Sequence, residues 1–209
     1  INSLQNFIDN QIQECKDQNL LLSLHLKASM MKVSDPIIFG HVLKVFFKNF
    51  IKNNKEILEK INVNFNSGLS NIFEKINQLD DQNKSKLIND LQLDIESGPD
   101  LAMVNSEKNI TNFHIPSDVI IDASMPAMIK SSGKMWDKSG VLRDTKAIIP
   151  DSSYSSIYEA TINFCKENGQ FDPSSMGTVQ NVGLMAKKAE EYGSHDKTYE
   201  IKSDGKVSV

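Results

Sequence analysis

The sequence predicts an α/β protein in which a mixed sheet is flanked by helices. Residues 1–98 are dominated by apolar side chains at helical spacing, which indicates a helix-rich part. Residues 99–209 instead carry short apolar runs between polar turns, which indicates a mixed α/β part. Helices that alternate with short strands are typical of an α/β layer, and we expect the two parts to form one domain with a mixed sheet.

The chain opens with a predicted helix and strand. Residues 1–18 carry an apolar stripe at helical spacing, and Asn19 ends it. Residues 20–26 alternate loosely between leucine and other side chains, which predicts a strand with Lys27 at its far end.

A loop and a buried helix follow. Residues 28–36 show no period, and either Ser34 or Asp35 is expected to cap the next helix, with Pro36 at its first position. The apolar residues of 37–53 predict one strongly buried helix.

The remaining elements are predicted from the same signals. Helices are expected at 56–61, 69–79 and 81–96, the last of them capped by Asp80 or Asp81. Strands are expected at 101–104, 119–121, 134–136, 147–149, 198–201 and 207–209. Helices are expected at 154–168, with Ile157, Thr161 and Phe164 facing inward, and at 182–192.

The stretch Asp118–Met128 places a carboxylate at the end of a predicted strand. Val119–Ile121 is a β-branched run, Asp122 follows it, and Ser124 with Pro126 indicates a turn into a helix. Two interpretations stay open for Asp122: a ligand for a substrate or cation, or simply a cap for the next helix.

Charge and cysteine content narrow the class of protein. The net charge of -4 argues against a nucleic-acid binder, and no apolar run is long enough to span a bilayer. Cys15 and Cys165 fall in helical patterns, so we expect buried reduced thiols in a cytoplasmic protein.

Common catalytic motifs are missing, and three residues stand out by position. The sequence has no glycine-rich phosphate loop, no nucleophile elbow and no zinc spacing. Lys27 is either a partly desolvated lysine with a lowered pKa or an ordinary strand-end lysine. Tyr192 is either a proton donor or a half-buried tyrosine, and Asp122 needs further acids to bind a metal ion.

Four histidines lie far apart in sequence, and each of them fits a site role or an ordinary structural role. They are His25, His41, His114 and His195.

Three long strings carry a family resemblance. Residues 26–41, 110–128 and 185–198 closely resemble the monomeric type of NADP-dependent isocitrate dehydrogenase, as do the shorter strings 132–136, 171–173 and 176–178. The likeness runs from about residue 20 to residue 201.

This resemblance implies an activity and its partners. It implies oxidative decarboxylation of isocitrate to 2-oxoglutarate and carbon dioxide, with NADP as hydride acceptor and Mg²⁺ or Mn²⁺ as metal. It also implies a cytoplasmic, monomeric enzyme of the tricarboxylic acid cycle and glyoxylate bypass. By motif, Lys27 and Tyr192 match the catalytic pair and Asp122 matches a metal ligand, whereas no residue here matches an NADP ligand.

The resemblance also implies that the chain is part of something larger. The family's enzymes have two domains, and this chain is expected to be a central piece of the large one. Only Arg143 could pair with a tricarboxylate through a guanidinium, so we expect the 209 residues alone to be inactive and to bind NADP poorly.

Two rival functions stay open at this point. The first is a non-catalytic binding or structural module that retains the large-domain fold. The second is an unrelated metal-dependent hydrolase built around Asp122, which would need a second carboxylate that the neighbouring sequence does not supply.

Overall fold

A computed structural model describes residues 1–28, 31, 33–117 and 120–172, and its elements follow in chain order. They are α1 (Asn2–Asp17), β1 (Leu21–Leu24), α2 (Ser34–Phe46), α3 (Lys48–Lys60), a 3-10 turn (Phe65–Ser67), α4 (Leu69–Ile76), α5 (Asp81–Ser97), β2 (Met103–Asn105), β3 (Ile110–Thr111), α6 (Ile121–Lys130), β4 (Lys134–Trp136), β5 (Leu142–Ile148) and α7 (Ser152–Asn168). The helix predicted at 182–192 and the strands predicted at 198–201 and 207–209 lie outside the described residues. Within the described ranges, no helix is both long and apolar enough to cross a bilayer.

Among the described residues, the main sheet has three strands in the order β1-β5-β4 and is mixed, as the sequence predicts. β1 pairs with β5 in parallel, with Leu21 opposite Thr145 and Leu24 opposite Ile148. β4 pairs with β5 in antiparallel fashion. Since β1 belongs to the helix-rich part and β5 to the mixed part, this pairing joins the two parts of the chain through one sheet.

The main core lies between the first five helices and β1. Phe113 is fully buried at its centre, and its ring makes edge-to-face contacts with Phe39 at 6.3 Å and with Phe46 at 5.3 Å between centroids. A second, smaller core forms where α6 meets β4, β5 and α7, around Ile121 and Met125. The site described below lies where this second core meets the end of β1.

The helix predicted over 37–53 is divided in two, which corrects the sequence-based boundary. α2 ends at Phe46, and α3 begins at Lys48. In a continuous helix the amide of Phe50 would donate to the carbonyl of Phe46. Here it donates instead to the buried carboxylate of Asp94 on α5, at 2.8 Å, so a distant side chain starts the second helix.

The inward face predicted for α7 is wrong. Ile157 is 59% exposed and Phe164 is 45% exposed. Tyr154 and Tyr158 are the residues of α7 that pack on the second core. Both tyrosines pack on the apolar surface of the second core, and the Ile121 carbonyl of α6 accepts a hydrogen bond from Tyr158.

Two strand predictions also change. β5 begins at Leu142, five residues before the predicted start at 147. The stretch 106–116, for which no strand is predicted, contains the short strand β3, which pairs with β2.

We predict that Phe113→Ala lowers the free energy of unfolding by about 3 to 5 kcal/mol, because truncating a buried aromatic ring leaves a cavity. The matched control is Phe7→Ala, since the Phe7 side chain is 46% exposed, and it should cost less than about 1 kcal/mol. Denaturant unfolding of both variants measures the difference. Equal losses would contradict the placement of Phe113 at the centre of the core.

Candidate active site

The chain that leaves β1 is held from two sides, and this fixes the position of Lys27. The amide of His25 donates to the carbonyl of Ile148 at the end of β5, at 2.9 Å. On the other side, the amide of Ile121 donates to the carbonyl of Leu26 at 2.9 Å, and Leu26 forms a parallel bridge with Ile120. Lys27 therefore emerges next to the first turn of α6.

Asp35 fixes the backbone of Lys27 itself. The Lys27 amide donates to a buried Asp35 carboxylate oxygen at 2.7 Å, and the Ser34 hydroxyl donates to the other oxygen at 3.0 Å. This corrects the expectation that Ser34 or Asp35 caps the next helix, because the residue at the cap position is Val33 and it makes no side-chain capping bond. The Asp35 carboxylate instead accepts the hydrogen bond from the Lys27 amide.

The strand predicted at 119–121 is wrong at residues 120 and 121, and its first residue lies outside the described residues. Helix α6 begins at Ile121, and Ile120 makes only an isolated bridge to Leu26. Ser124 therefore lies inside the helix rather than at its N-cap, and Asp122 falls in the first helical turn. The first turn is the end of a helix at which a negatively charged side chain is favourably placed.

Lys27 and Asp122 form an ion pair. The Lys27 ammonium lies 2.9 Å from an Asp122 carboxylate oxygen. The Lys27 side chain is 20% exposed and that of Asp122 is 47% exposed, so the pair lies at the edge of the second core and remains open to solvent. Asp122 does not cap α6, since the cap position is Ile120 and no side-chain capping bond is made there. Its carboxylate instead contacts a second candidate site residue.

Two tyrosines of α7 lie near the Lys27–Asp122 ion pair. The Lys27 ammonium lies 5.5 Å from the centre of the Tyr154 ring, within range of a cation–π contact. The Tyr158 hydroxyl donates to the Ile121 carbonyl at 3.2 Å. Burial and then the Asp122 charge and Tyr154 raise the pKa of Tyr158, with the Lys27 cation opposing them.

A lowered pKa, one of the two interpretations of Lys27 left open by the sequence, is not what this arrangement produces. Burial does disfavour the charged form of Lys27, but hydrogen bonds with Tyr154 and Asp122, together with the Asp122 charge, raise its pKa above the ordinary value. In this arrangement Lys27 is therefore a charged hydrogen-bond donor at neutral pH.

His25 is the residue of the site whose role the sequence left open. Its ring is 1% exposed, with Nε2 at 2.9 Å from the Ser23 hydroxyl and Nδ1 at 2.7 Å from the Ser124 hydroxyl. Burial lowers the pKa of His25 to about 4, so the imidazole is neutral at pH 7. The available signal was that Ser23 and His25 are the polar positions between the leucines of the strand pattern.

The other candidates are placed as follows. Tyr192 and His195 lie outside the described residues. Arg143 is bound to Asp100 at 2.6 Å and to Asn19 at 2.9 Å, where it ties β5 to the chain around β1. Cys15 is buried, which agrees with the sequence, whereas Cys165 is only partly buried.

The described residues do not amount to a metal site. Among residues 1–172 with their short gaps, no three histidine, cysteine, aspartate or glutamate side chains lie close enough to hold an ion. Asp122 is a donor of the kind that Mg²⁺ and Mn²⁺ prefer, but it is a single carboxylate already in contact with an ammonium.

Comparison with known proteins gives one consistent result. A family model described as monomeric isocitrate dehydrogenase matches residues 1–209. The chain is 52% identical over 208 residues to an isocitrate dehydrogenase (NADP) of Azotobacter vinelandii, which covers 100% of this chain and 28% of that protein. It is 54% identical over 207 residues to the isocitrate dehydrogenase (NADP) of Corynebacterium efficiens, which covers 99% of this chain and 28% of that protein. The chain thus spans 28% of the length of these relatives.

We predict that the protein loses stability in mild acid because the buried, neutral ring of His25 resists protonation. The unfolded chain takes up a proton on His25 below about pH 6.5, whereas the folded chain does so only near pH 4. The contribution of His25 is therefore fully present above pH 6.5 and is lost as the pH falls toward 4, by on the order of 2 kcal/mol at pH 4.5.

Denaturant unfolding at pH 7 and pH 4.5 tests this prediction. His25→Asn should lose less stability between the two pH values than the unaltered protein does, since asparagine does not titrate. His41→Asn is the control, because the ring of His41 is only partly buried, and it should keep most of the original pH dependence. If His25→Asn keeps the full acid loss, His25 is not a buried neutral imidazole.

Proposed function

The chain belongs to the monomeric isocitrate dehydrogenase family, and on that premise we propose that it supplies part of the active site of an NADP-dependent isocitrate dehydrogenase. The reaction is the oxidative decarboxylation of isocitrate to 2-oxoglutarate and carbon dioxide, with NADP as the hydride acceptor. The observation that carries this proposal is identity of about half of all positions, across the whole chain, with relatives named isocitrate dehydrogenase (NADP).

Lys27 and Tyr192 are the proposed acid–base pair. In this assignment Lys27 assists removal of the proton from the substrate hydroxyl, and Tyr192 returns a proton to the carbon that loses carbon dioxide. The contact of Lys27 with Asp122 supports a shared role for these two side chains, since both are turned toward the same open edge. While that contact lasts, the Lys27 ammonium is held as a donor, so Lys27 accepts a proton only once the contact is weakened.

Asp122 is the proposed contribution to a Mg²⁺ or Mn²⁺ site. Its carboxylate has the right chemistry, but the donor set within the described ranges is incomplete. The remaining ligands of such a site would come from residues outside the described part of the chain.

The proposal extends to the whole enzyme. It includes isocitrate as substrate, a two-domain monomer with this chain in its large domain, a cytoplasmic location, and a place in the tricarboxylic acid cycle and glyoxylate bypass. Because the chain spans 28% of its relatives, we expect that the 209 residues alone form no NADPH from isocitrate. NADPH absorbance in the presence of isocitrate, NADP and Mn²⁺ measures this, and turnover by the isolated chain would contradict it.

We predict that a chimaera in which this chain replaces the matching 208 residues of the Azotobacter vinelandii protein forms NADPH from isocitrate. In this chimaera, Lys27→Met and Tyr192→Phe should each lower kcat by about 10²-fold or more, the usual contribution of a positioned acid or base. Lys48→Met is the matched control, because the Lys48 side chain is 61% exposed and pairs only with Asp9 among the described residues, and its kcat should stay unchanged.

Two further measurements on the chimaera separate the roles. Decarboxylation of added oxalosuccinate isolates the second half-reaction, which Tyr192→Phe should slow more than Lys27→Met does. Asp122→Asn should raise the Mn²⁺ concentration needed for half-maximal rate by about tenfold or more, since even loss of a group that only orients a metal ligand typically costs that much metal affinity. An active native chimaera in which none of these changes has an effect would indicate a non-catalytic module in place of the proposed site.

A further inference from the structure

A chain of buried polar groups runs from the start of the mixed part to helix α6. Ser23, His25 and Asn112 are each at most 1% exposed. Asn112 contacts Ser23, Ser23 contacts His25, and His25 contacts Ser124 on α6. Buried polar groups are costly unless paired, so the directions of these hydrogen bonds matter.

The direction of the first two hydrogen bonds is set by the Leu24 carbonyl. A carbonyl only accepts, so the Asn112 side chain must turn its amide nitrogen toward it, at 3.1 Å. The same nitrogen then donates to the Ser23 hydroxyl oxygen at 3.0 Å. This orientation leaves the Asn112 amide oxygen buried and without a partner among the described residues, a cost that the two donated bonds offset.

The remaining directions follow from Ser23. Within the described ranges, its hydroxyl contacts only the Asn112 nitrogen, which donates, and Nε2 of His25. The Ser23 hydroxyl therefore donates to Nε2 of His25. A neutral imidazole whose Nε2 accepts carries its proton on Nδ1, so Nδ1 donates to the Ser124 hydroxyl at 2.7 Å.

This bond spans the two halves of the candidate site. His25 precedes Lys27 by two residues on the chain leaving β1, and Ser124 follows Asp122 by two residues on α6. The imidazole thus joins the two segments on the buried side, while the Lys27–Asp122 ion pair joins them on the open side. Among the described residues, the His25–Ser124 contact and the backbone bond from Ile121 to Leu26 are the direct polar links between these segments in the core.

We propose that His25 is a positioning residue, which as the Nδ1–H tautomer locks Ser124 and so sets where Asp122 stands relative to Lys27. The catalytic part of this inference rests on the proposed function, whereas the hydrogen-bond direction does not. Its burial keeps the ring neutral, as the link requires.

Histidine ¹⁵N NMR of the 209-residue protein tests the link independently of activity. The proton of His25 should be on Nδ1 at pH 7, and Ser23→Ala should allow the Nε2–H form to appear. In amide spectra, Ser124→Ala and His25→Gln should shift the Asp122 resonance more than His25→Asn does, because an asparagine nitrogen can take the place of Nδ1. A proton on Nε2 in the unaltered protein would overturn the inference.

Kinetics of the chimaera test the consequence for catalysis. His25→Gln and Ser124→Ala should lower kcat by about tenfold, as misplacement of reacting groups does, whereas His25→Asn should lower it by less than about threefold. Thermal unfolding of the same three variants distinguishes a positioning role from a purely structural one. If the role is purely structural, the loss of kcat should follow the loss of Tm in all three. Equal loss of kcat in His25→Asn and His25→Gln would overturn the positioning role.

A chimaera with native residues at all these positions that forms no NADPH would refute the proposed function. In that case the NMR result alone decides the inference. The Nδ1–H form together with the predicted Asp122 shifts supports it, and the Nε2–H form overturns it.

Discussion

The candidate site depends on one backbone hydrogen bond, from the Ile121 amide to the Leu26 carbonyl. This bond places the first turn of α6 against the chain leaving β1, so that Lys27 and Asp122, far apart in sequence, come to within 2.9 Å. It also uses an amide that a helix cannot satisfy internally, because the first N–H groups of a helix have no intrahelical acceptor. The position of β1 depends in turn on its parallel pairing with β5.

Sequence patterns predicted the parts of the fold that depend on local signals. The amphipathic helices α1, α4 and α5 appear close to their predicted bounds, and Asp80 caps α5 by accepting from the Asn83 amide. The mixed sheet was also predicted, from the succession of short apolar runs. Motif resemblance singled out Lys27 and Asp122, and the structure brings them into contact without testing their roles.

Several features that sequence reasoning missed depend on a hydrogen-bond partner elsewhere in the chain. Asp94 divides the helix predicted at 37–53, and Asp35 binds the Lys27 amide rather than capping α2. Ser124 accepts from His25 rather than capping α6. Hydrophobic periodicity locates polar residues at such positions, but it does not identify the donor or acceptor that each of them contacts. That partner depends on the tertiary structure, which determines whether the residue caps a helix, forms an ion pair or positions another side chain.

Hydrogen exchange at the Ile121 amide measures whether α6 is docked on the end of β1. An undocked helix would leave that amide exposed, so its protection reports the contact with Leu26 and nothing within the helix. We predict that Ile121 exchanges as slowly as the core amide of Leu22, which donates to the Asp100 carbonyl at 2.8 Å. Exchange at the rate of a free amide would show that α6 is not docked on the end of β1, and the proposed site would then not be assembled.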